Sequence, residues 1–196
     1  MARLFLIALL WASAALAAPS YNRDYFGGGW LDLDTDGRDT RQEAVEQGMR
    51  FGVWVDPYSC EVVSNPLSLP INGDFDLDHI IPLKWAWEHG AWQWTQDERE
   101  AFANDPDNLF LVSASANRSK GAQGPSEWLP ANVAFWPEYV EKWHMLIDKY
   151  ALELPEADRQ TLSRALDMGQ LYKNGIRPDD ILKHKTWIQR WIEATQ

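Results

Sequence analysis

Hydrophobic and polar positions divide the chain into stretches with different periods. Residues 20–39 carry Gly and Asp at close intervals with no sustained period, which reads as loop. A helix is expected from Thr40 to Gln47, with Asp39 as its cap and Gly48 as its stop. Phe51 to Val55 and Glu61 to Ser64 are β-prone runs on either side of Asp56-Pro57, the pattern of two strands around a turn. Phe75 to Ile81 reads as a strand that ends at Pro82. Thr95 and Glu98 form a capping box for a helix to about Ala103. Asn108 to Ser113 (NLFLVS) is a further strand, and Ala114 to Lys120 a short helix closed by Gly121. Apolar residues at helical spacing then dominate, over about 132–151, 156–168 and 179–194. Strands, then strand–helix–strand–helix, then helices alone is the order of an α+β fold.

The first stretch changes the picture. Residues 1–17 read MARLFLIALLWASAALA, with Arg3 as a short basic start, an apolar run, and Ala15-Leu16-Ala17 as a small-x-small cleavage site. That is the pattern of a secretory signal peptide, so the mature chain is expected to start near Ala18 and to work in the periplasm or outside the cell. No apolar run reaches the roughly 18–20 residues that span a bilayer, and stable membrane insertion is not expected. Eighteen Lys and Arg against 29 Asp and Glu give a net charge of −11, which excludes a protein that grips nucleic acid by bulk electrostatics. The lone Cys60 excludes an intrachain disulfide and a Cys-rich zinc module. It reads as a buried, inert thiol or as one that pairs with another chain. Twelve Trp residues favour a large rigid core. Trp85, Trp87, Trp92 and Trp94 would also suit base stacking, but core packing between strand and helices is the reading taken. Of the histidines outside the central motif, His89 precedes Gly90 and suits a helix C-terminus. His144 falls in an apolar helical pattern, and His184 on a solvated helix face.

Chemistry is concentrated in Asp76-Leu77-Asp78-His79-Ile80-Ile81-Pro82-Leu83. Asp76 and Asp78 share one face of an ideal strand and His79 points the other way. For Asp78 and His79 to serve one site, the strand must twist or end at His79. Downstream, NLFLVS leads into Ala114-Ser115-Ala116-Asn117-Arg118-Ser119-Lys120-Gly121, which brings Asn117 back alongside the first strand. A carboxylate, an amide oxygen and an imidazole then meet. Hard divalent cations take oxygen ligands, and Mg²⁺ keeps several waters and accepts phosphate oxygens. An unligated His with an ordinary pKa of about 6.5 can take a proton from water near neutral pH.

DLDHIIPL, an Asn that starts the next strand, and a second Asn nine residues later in NRSKG together resemble an HNH endonuclease. More closely, the stretch from YNRDYFGGGW through DHIIPL to ANRSKGAQGPSEWLPAN resembles secreted bacterial HNH nucleases of the GmrSD-like C-terminal group, over about 22–150. The resemblance implies a ββα-metal core, here with a small strand pair and several packed helices. It implies that His79 is the general base, that Asn108 pins the loop between the two strands, and that Asp78 and Asn117 are metal ligands. Asp76 would hold the ligand sphere from behind. Arg118 and Lys120 are placed by charge and location as phosphate contacts. The implied activity is Mg²⁺- or Mn²⁺-dependent hydrolysis of DNA, with RNA also open, to 5′-phosphate and 3′-hydroxyl products. The acidic balance predicts weak, salt-sensitive affinity for that substrate. The chain then divides into a signal peptide (1–17), an N-terminal region with a strand pair (18–72), the nuclease core with its following helix (73–151) and a helical extension (152–196).

A second constellation is Asp32-Leu33-Asp34-Thr35-Asp36-Gly37 with Glu43 six residues after the glycine, the D-x-D-x-D-G-x₅-E spacing of a Ca²⁺ loop. It departs from that pattern in having Gly27-Gly28-Gly29 before it where a helix belongs, and Asp39 at the eighth position. It reads equally as an acidic turn whose carboxylates pair with Arg38, Arg41 and backbone amides. Relatives of the resembled group carry a Cys near Arg38; its absence here excludes a disulfide there. The alternative function is therefore a catalytically silent, Ca²⁺-stabilised binding module on the same scaffold.

Overall fold

The computed structural model describes residues 18–49, 53–64 and 75–177. The signal-peptide segment, the expected helix over 179–194 and His184 lie outside them. Helices are α1 (Thr40–Met49), α2 (Leu83–Glu88), α3 (Gln96–Ala103), α4 (Ala114–Lys120), α5 (Trp136–Tyr150) and α6 (Glu156–Lys173); strands are β1 (Val53–Val55), β2 (Val62–Ser64), β3 (Phe75–His79) and β4 (Leu109–Ser113). The strands form two antiparallel pairs, β1–β2 and β3–β4, so the fold is α+β.

The ββα unit follows from local signals. β3 and β4 pair with Asp76 opposite Val112 and Asp78 opposite Phe110. β4 runs directly into α4, whose N-cap Ser113 accepts the Ala116 amide. Gly121, at φ 55°, ends that helix in the left-handed region that disfavours a side chain. Thr95 and Glu98 make the expected capping box on α3. Asp39 and Gln42 make another on α1: the Gln42 amide donates to Asp39 at 2.8 Å and the Asp39 amide to Gln42 at 2.9 Å.

Several boundaries differ from expectation. α1 runs through Gly48 to Met49, because one glycine costs a helix only about 1 kcal/mol. β3 stops at His79 rather than Ile81, since the next two amides turn to Asn108. The helix expected over 132–151 begins at Trp136, after a 3-10 turn at Val133–Phe135. α6 continues five residues past the expected 168. α2 carries no sequence signal beyond Pro82, being too short for a period to show. Cys60 is exposed in the β1–β2 turn, which removes the buried-thiol reading.

The main core lies between α2, α3, α5 and α6. Trp85, Tyr139, Trp143, Phe102, Ile80 and Ile81 are buried in it. Trp85 meets Trp143 edge-on at 4.9 Å and stacks on His89 at 3.9 Å. Trp87 is buried and Trp92 and Trp94 pack on the rim, so this aromatic set is core. His89 caps α2, and His144 is exposed on α5 rather than packed. Gly124 allows the Trp85 indole to reach Asp158, which it does at 3.3 Å. A Cβ at Gly124 would lie 2.5 Å from that indole nitrogen and 2.9 Å from the Asp158 carboxylate. Gly124→Ala is expected to destabilise the protein by about 2 kcal/mol through this overpacking, read by urea titration.

Candidate active site

β3 ends at His79, and that ending lets neighbours of opposite strand parity share one site. Asp76, Asp78, His79 and Asn117 line a single cleft of about 500 Å³, with Tyr21, Trp30, Arg23, Arg41 and Lys84 on its other walls. Asn108 lies beneath it, fully buried. Its backbone carbonyl accepts the Ile80 amide at 2.9 Å, and its side-chain oxygen accepts the Ile81 amide at 2.9 Å. Asn108 thus holds the chain in the turn that follows β3.

His79 is 7% exposed and sandwiched. Trp30 stacks on the imidazole at 5.6 Å and 14°. Nε2 lies 2.8 Å from the Ala103 carbonyl at the end of α3. A carbonyl only accepts, so Nε2 carries the proton and Nδ1 is left with a free lone pair. Burial pushes the His79 pKa down to about 3, the Arg23 and Lys120 charges push the same way, and the Ala103 carbonyl opposes them. The imidazole is therefore neutral at pH 7, with its tautomer set by one hydrogen bond.

Asp78 is 6% exposed and engaged on both oxygens. The Lys120 ammonium, fully buried, donates to them at 2.8 and 2.9 Å and to the His79 carbonyl at 2.6 Å. The Tyr58 hydroxyl donates to the same carboxylate at 2.6 Å. Burial pushes the Asp78 carboxyl up and the Lys120 ammonium down, and their mutual attraction opposes both shifts. Burial also raises the Tyr58 phenol well above its ordinary value, so it stays a donor. Tyr58 had no sequence signal beyond its turn. That turn is built by buried Asp56, which accepts the Tyr58 amide at 3.0 Å and the Ser59 hydroxyl at 2.7 Å.

Asn117 points its amide at the other aspartate. Nδ2 donates to Asp76 at 3.0 Å, which leaves Oδ1 facing away from that bond. Two expectations for basic residues change here. Lys120 spends all three N–H donors inside the protein and does not line the cleft, so it is no phosphate contact in this structure. Arg118 is exposed and also lies off the cleft wall. Arg23 is on it, and so is Arg41, which the acidic-turn reading expected to pair with the loop carboxylates and which has no carboxylate partner among the described residues.

The acidic loop stands apart. Ligand oxygens of Asp32, Asp34 and Asp36 lie within 4.8 Å of one another, without Glu43 in the group. Asp32 accepts the Gly37 amide at 2.9 Å and Asp34 the Asp36 amide at 3.2 Å, while Arg38 pairs with Asp36 and Glu46. Partial desolvation pushes the Glu43 carboxyl up, the charges of Asp34 and Asp36 add to it, and Arg38 opposes them.

Residues 35–160 match the model of the family described as GmrSD restriction endonucleases, C-terminal domain. The chain belongs to this family. The GmrSD C-terminal domains are nuclease-related by that description, and the matched stretch holds β3, β4, α4 and the four residues His79, Asp78, Asn108 and Asn117. Arg23 and Trp30 lie upstream of it. A relative from Arthroderma benhamiae, described as an uncharacterized secreted protein, is 33% identical over 156 residues, covering 75% of this chain and 74% of its own. No solved structure matches this member of the GmrSD C-terminal family. No helix among the described residues is long and apolar enough to cross a membrane.

Proposed function

We propose that this protein is a secreted, divalent-cation-dependent endonuclease that hydrolyses phosphodiester bonds, with DNA as substrate. The observation that carries this reading is the His79 imidazole. It is neutral, held through Nε2–H by the Ala103 carbonyl, and set in one cleft with Asp76, Asp78 and Asn117. Family membership supports the nuclease class, and the secreted relative together with the leader-like residues 1–17 supports export.

The donor set suits a hard cation: two carboxylates and an amide oxygen, with no sulfur and no second imidazole on the wall among the described residues. Asn117 Oδ1 and Asp78 would hold it, most naturally Mg²⁺ or Mn²⁺, and Asp76 keeps the Asn117 amide turned so that its oxygen is free. Bound there, the ion supplies Lewis acidity toward water and phosphate oxygens. His79 Nδ1 takes the proton of the attacking water, and the Ala103 carbonyl keeps Nε2–H fixed as charge appears on the ring. Asn108 fixes the turn behind His79, so the base does not swing during attack. Asp78 already has a cationic partner in Lys120, which predicts a loosely held ion and a millimolar metal requirement.

The test is nicking of supercoiled plasmid by the chain from Ala18, at low salt, with Mg²⁺, with Mn²⁺ and with EDTA. Nicking with either metal and none in EDTA is expected. The competing reading is a silent module in which Asp32, Asp34, Asp36 and Glu43 bind Ca²⁺ for stability. Its support is the clustering of those carboxylates. An intact plasmid and intact RNA under all conditions, with a melting temperature that rises in Ca²⁺, would replace the nuclease reading by that one.

A further inference from the structure

Arg23 and Arg41 come from two segments outside the ββα unit, yet both residues line its cleft. Arg23 opens a 3-10 turn over Arg23–Phe26, capped by Asn22, which accepts the Asp24 amide at 3.0 Å. Phe26 anchors that turn in the core against Phe102. Arg41 sits in the first turn of α1. A single buried amide ties both segments to α3: Asn104 accepts the Leu31 amide at 2.8 Å and the Thr40 hydroxyl at 3.0 Å. Leu31 and Thr40 are the chain neighbours of Trp30 and Arg41. The residues beside Trp30 and Arg41 therefore share one anchor on α3.

Arg23 and Arg41 combine a place on the cleft wall with the lack of a carboxylate partner among the described residues, whereas Arg99, Arg118 and Arg164 also lack one but lie off the cleft. In a chain of net charge −11, Arg38, Lys84, Lys120, Lys142, Lys149 and Arg159 each have a carboxylate partner. Arg23 and Arg41 have none among the described residues, although they face a cleft that holds Asp76 and Asp78. Guanidinium groups on a cleft wall, one exposed and one half-buried, offer planar donor forks that match phosphate oxygens.

Building on the nuclease reading above, we propose that Arg23 and Arg41 form a phosphate clamp that holds the backbone of the nucleic-acid substrate across the cleft. The geometry divides the labour. The ββα residues face the scissile bond, and the arginines take phosphates of the same strand by bidentate contact. This also accounts for substrate binding by so acidic a protein, because the local wall and not the net charge meets the backbone.

The test is fluorescence anisotropy with a labelled 20-base-pair DNA duplex, in EDTA, from 25 to 200 mM KCl. Wild type is compared with Arg23→Gln, Arg41→Gln and Arg164→Gln, the last an exposed charge on α6. Each clamp variant should bind about three- to tenfold more weakly at low salt, and the slope of log K against log salt should fall by about 0.9 per arginine removed. Arg164→Gln should change neither, and Arg23→Lys and Arg41→Lys should restore the slope. Clamp variants indistinguishable from Arg164→Gln, in a protein that binds and cleaves DNA, would overturn the clamp and leave the nuclease intact. A slope that falls only for Arg118→Gln would overturn it equally. A wild-type chain that neither binds DNA nor nicks plasmid in Mg²⁺ would remove both proposals.

Discussion

His79→Ala is expected to lower plasmid nicking by about 10²- to 10⁴-fold, the usual worth of a positioned general base. The variant leaves an imidazole-sized gap between Trp30 and the Ala103 carbonyl. That gap allows a sharper readout than loss alone. Added imidazole should restore part of the activity, since it can enter the gap, donate to Ala103 and present its other nitrogen to water. A merely structural histidine would show no such rescue. The fold should survive, at a cost of about 1–3 kcal/mol for the orphaned carbonyl and lost packing. A folded His79→Ala protein that nicks as fast as wild type would refute the assignment of the base.

Lys120→Met should give the largest loss of stability, about 3–5 kcal/mol, or roughly 10 °C in melting temperature. Removing the ammonium strands a carboxylate that is 6% exposed, with only the Tyr58 hydroxyl left to it among the described residues. It also leaves the His79 carbonyl without its donor. The double variant Lys120→Met/Asp78→Asn should be more stable than Lys120→Met alone, because the buried charge goes with its partner. If Lys120 served the substrate instead, Lys120→Met would fold as well as wild type and lose only DNA affinity. A melting temperature within 2 °C of wild type would therefore reject the buried-pair account.

The ββα unit was legible because its signals are local. β4 and α4 are adjoining runs, Ser113 caps the helix and Gly121 closes it, all within thirteen residues of Leu109. The Thr95–Glu98 and Asp39 caps were legible for the same reason. α2 was not, because six residues cannot display a helical period against flanking Trp and Pro. At the site, His79, Asp78, Asp76 and Asn117 stood out by residue type and spacing, and Asn108 through the resemblance to HNH nucleases. Their bonding did not. Lys120 has the charge of a phosphate contact, and only its reach across 42 residues to Asp78 shows that the charge is spent.

What this sequence determines by itself is the α+β order of elements, the DLDHIIPL strand end and the oxygen-rich donor set. These depend on periods, caps and residue chemistry within a few turns of chain. Tertiary structure decides which of those groups are free. It fixes the His79 tautomer through Ala103, covers the ring with Trp30, neutralises Asp78 with Lys120 and Tyr58, and leaves Arg23 and Arg41 on the cleft wall without a carboxylate partner among the described residues. The reason is physical: availability of a charge or lone pair depends on burial and on partners distant in the chain, and a one-dimensional pattern carries neither.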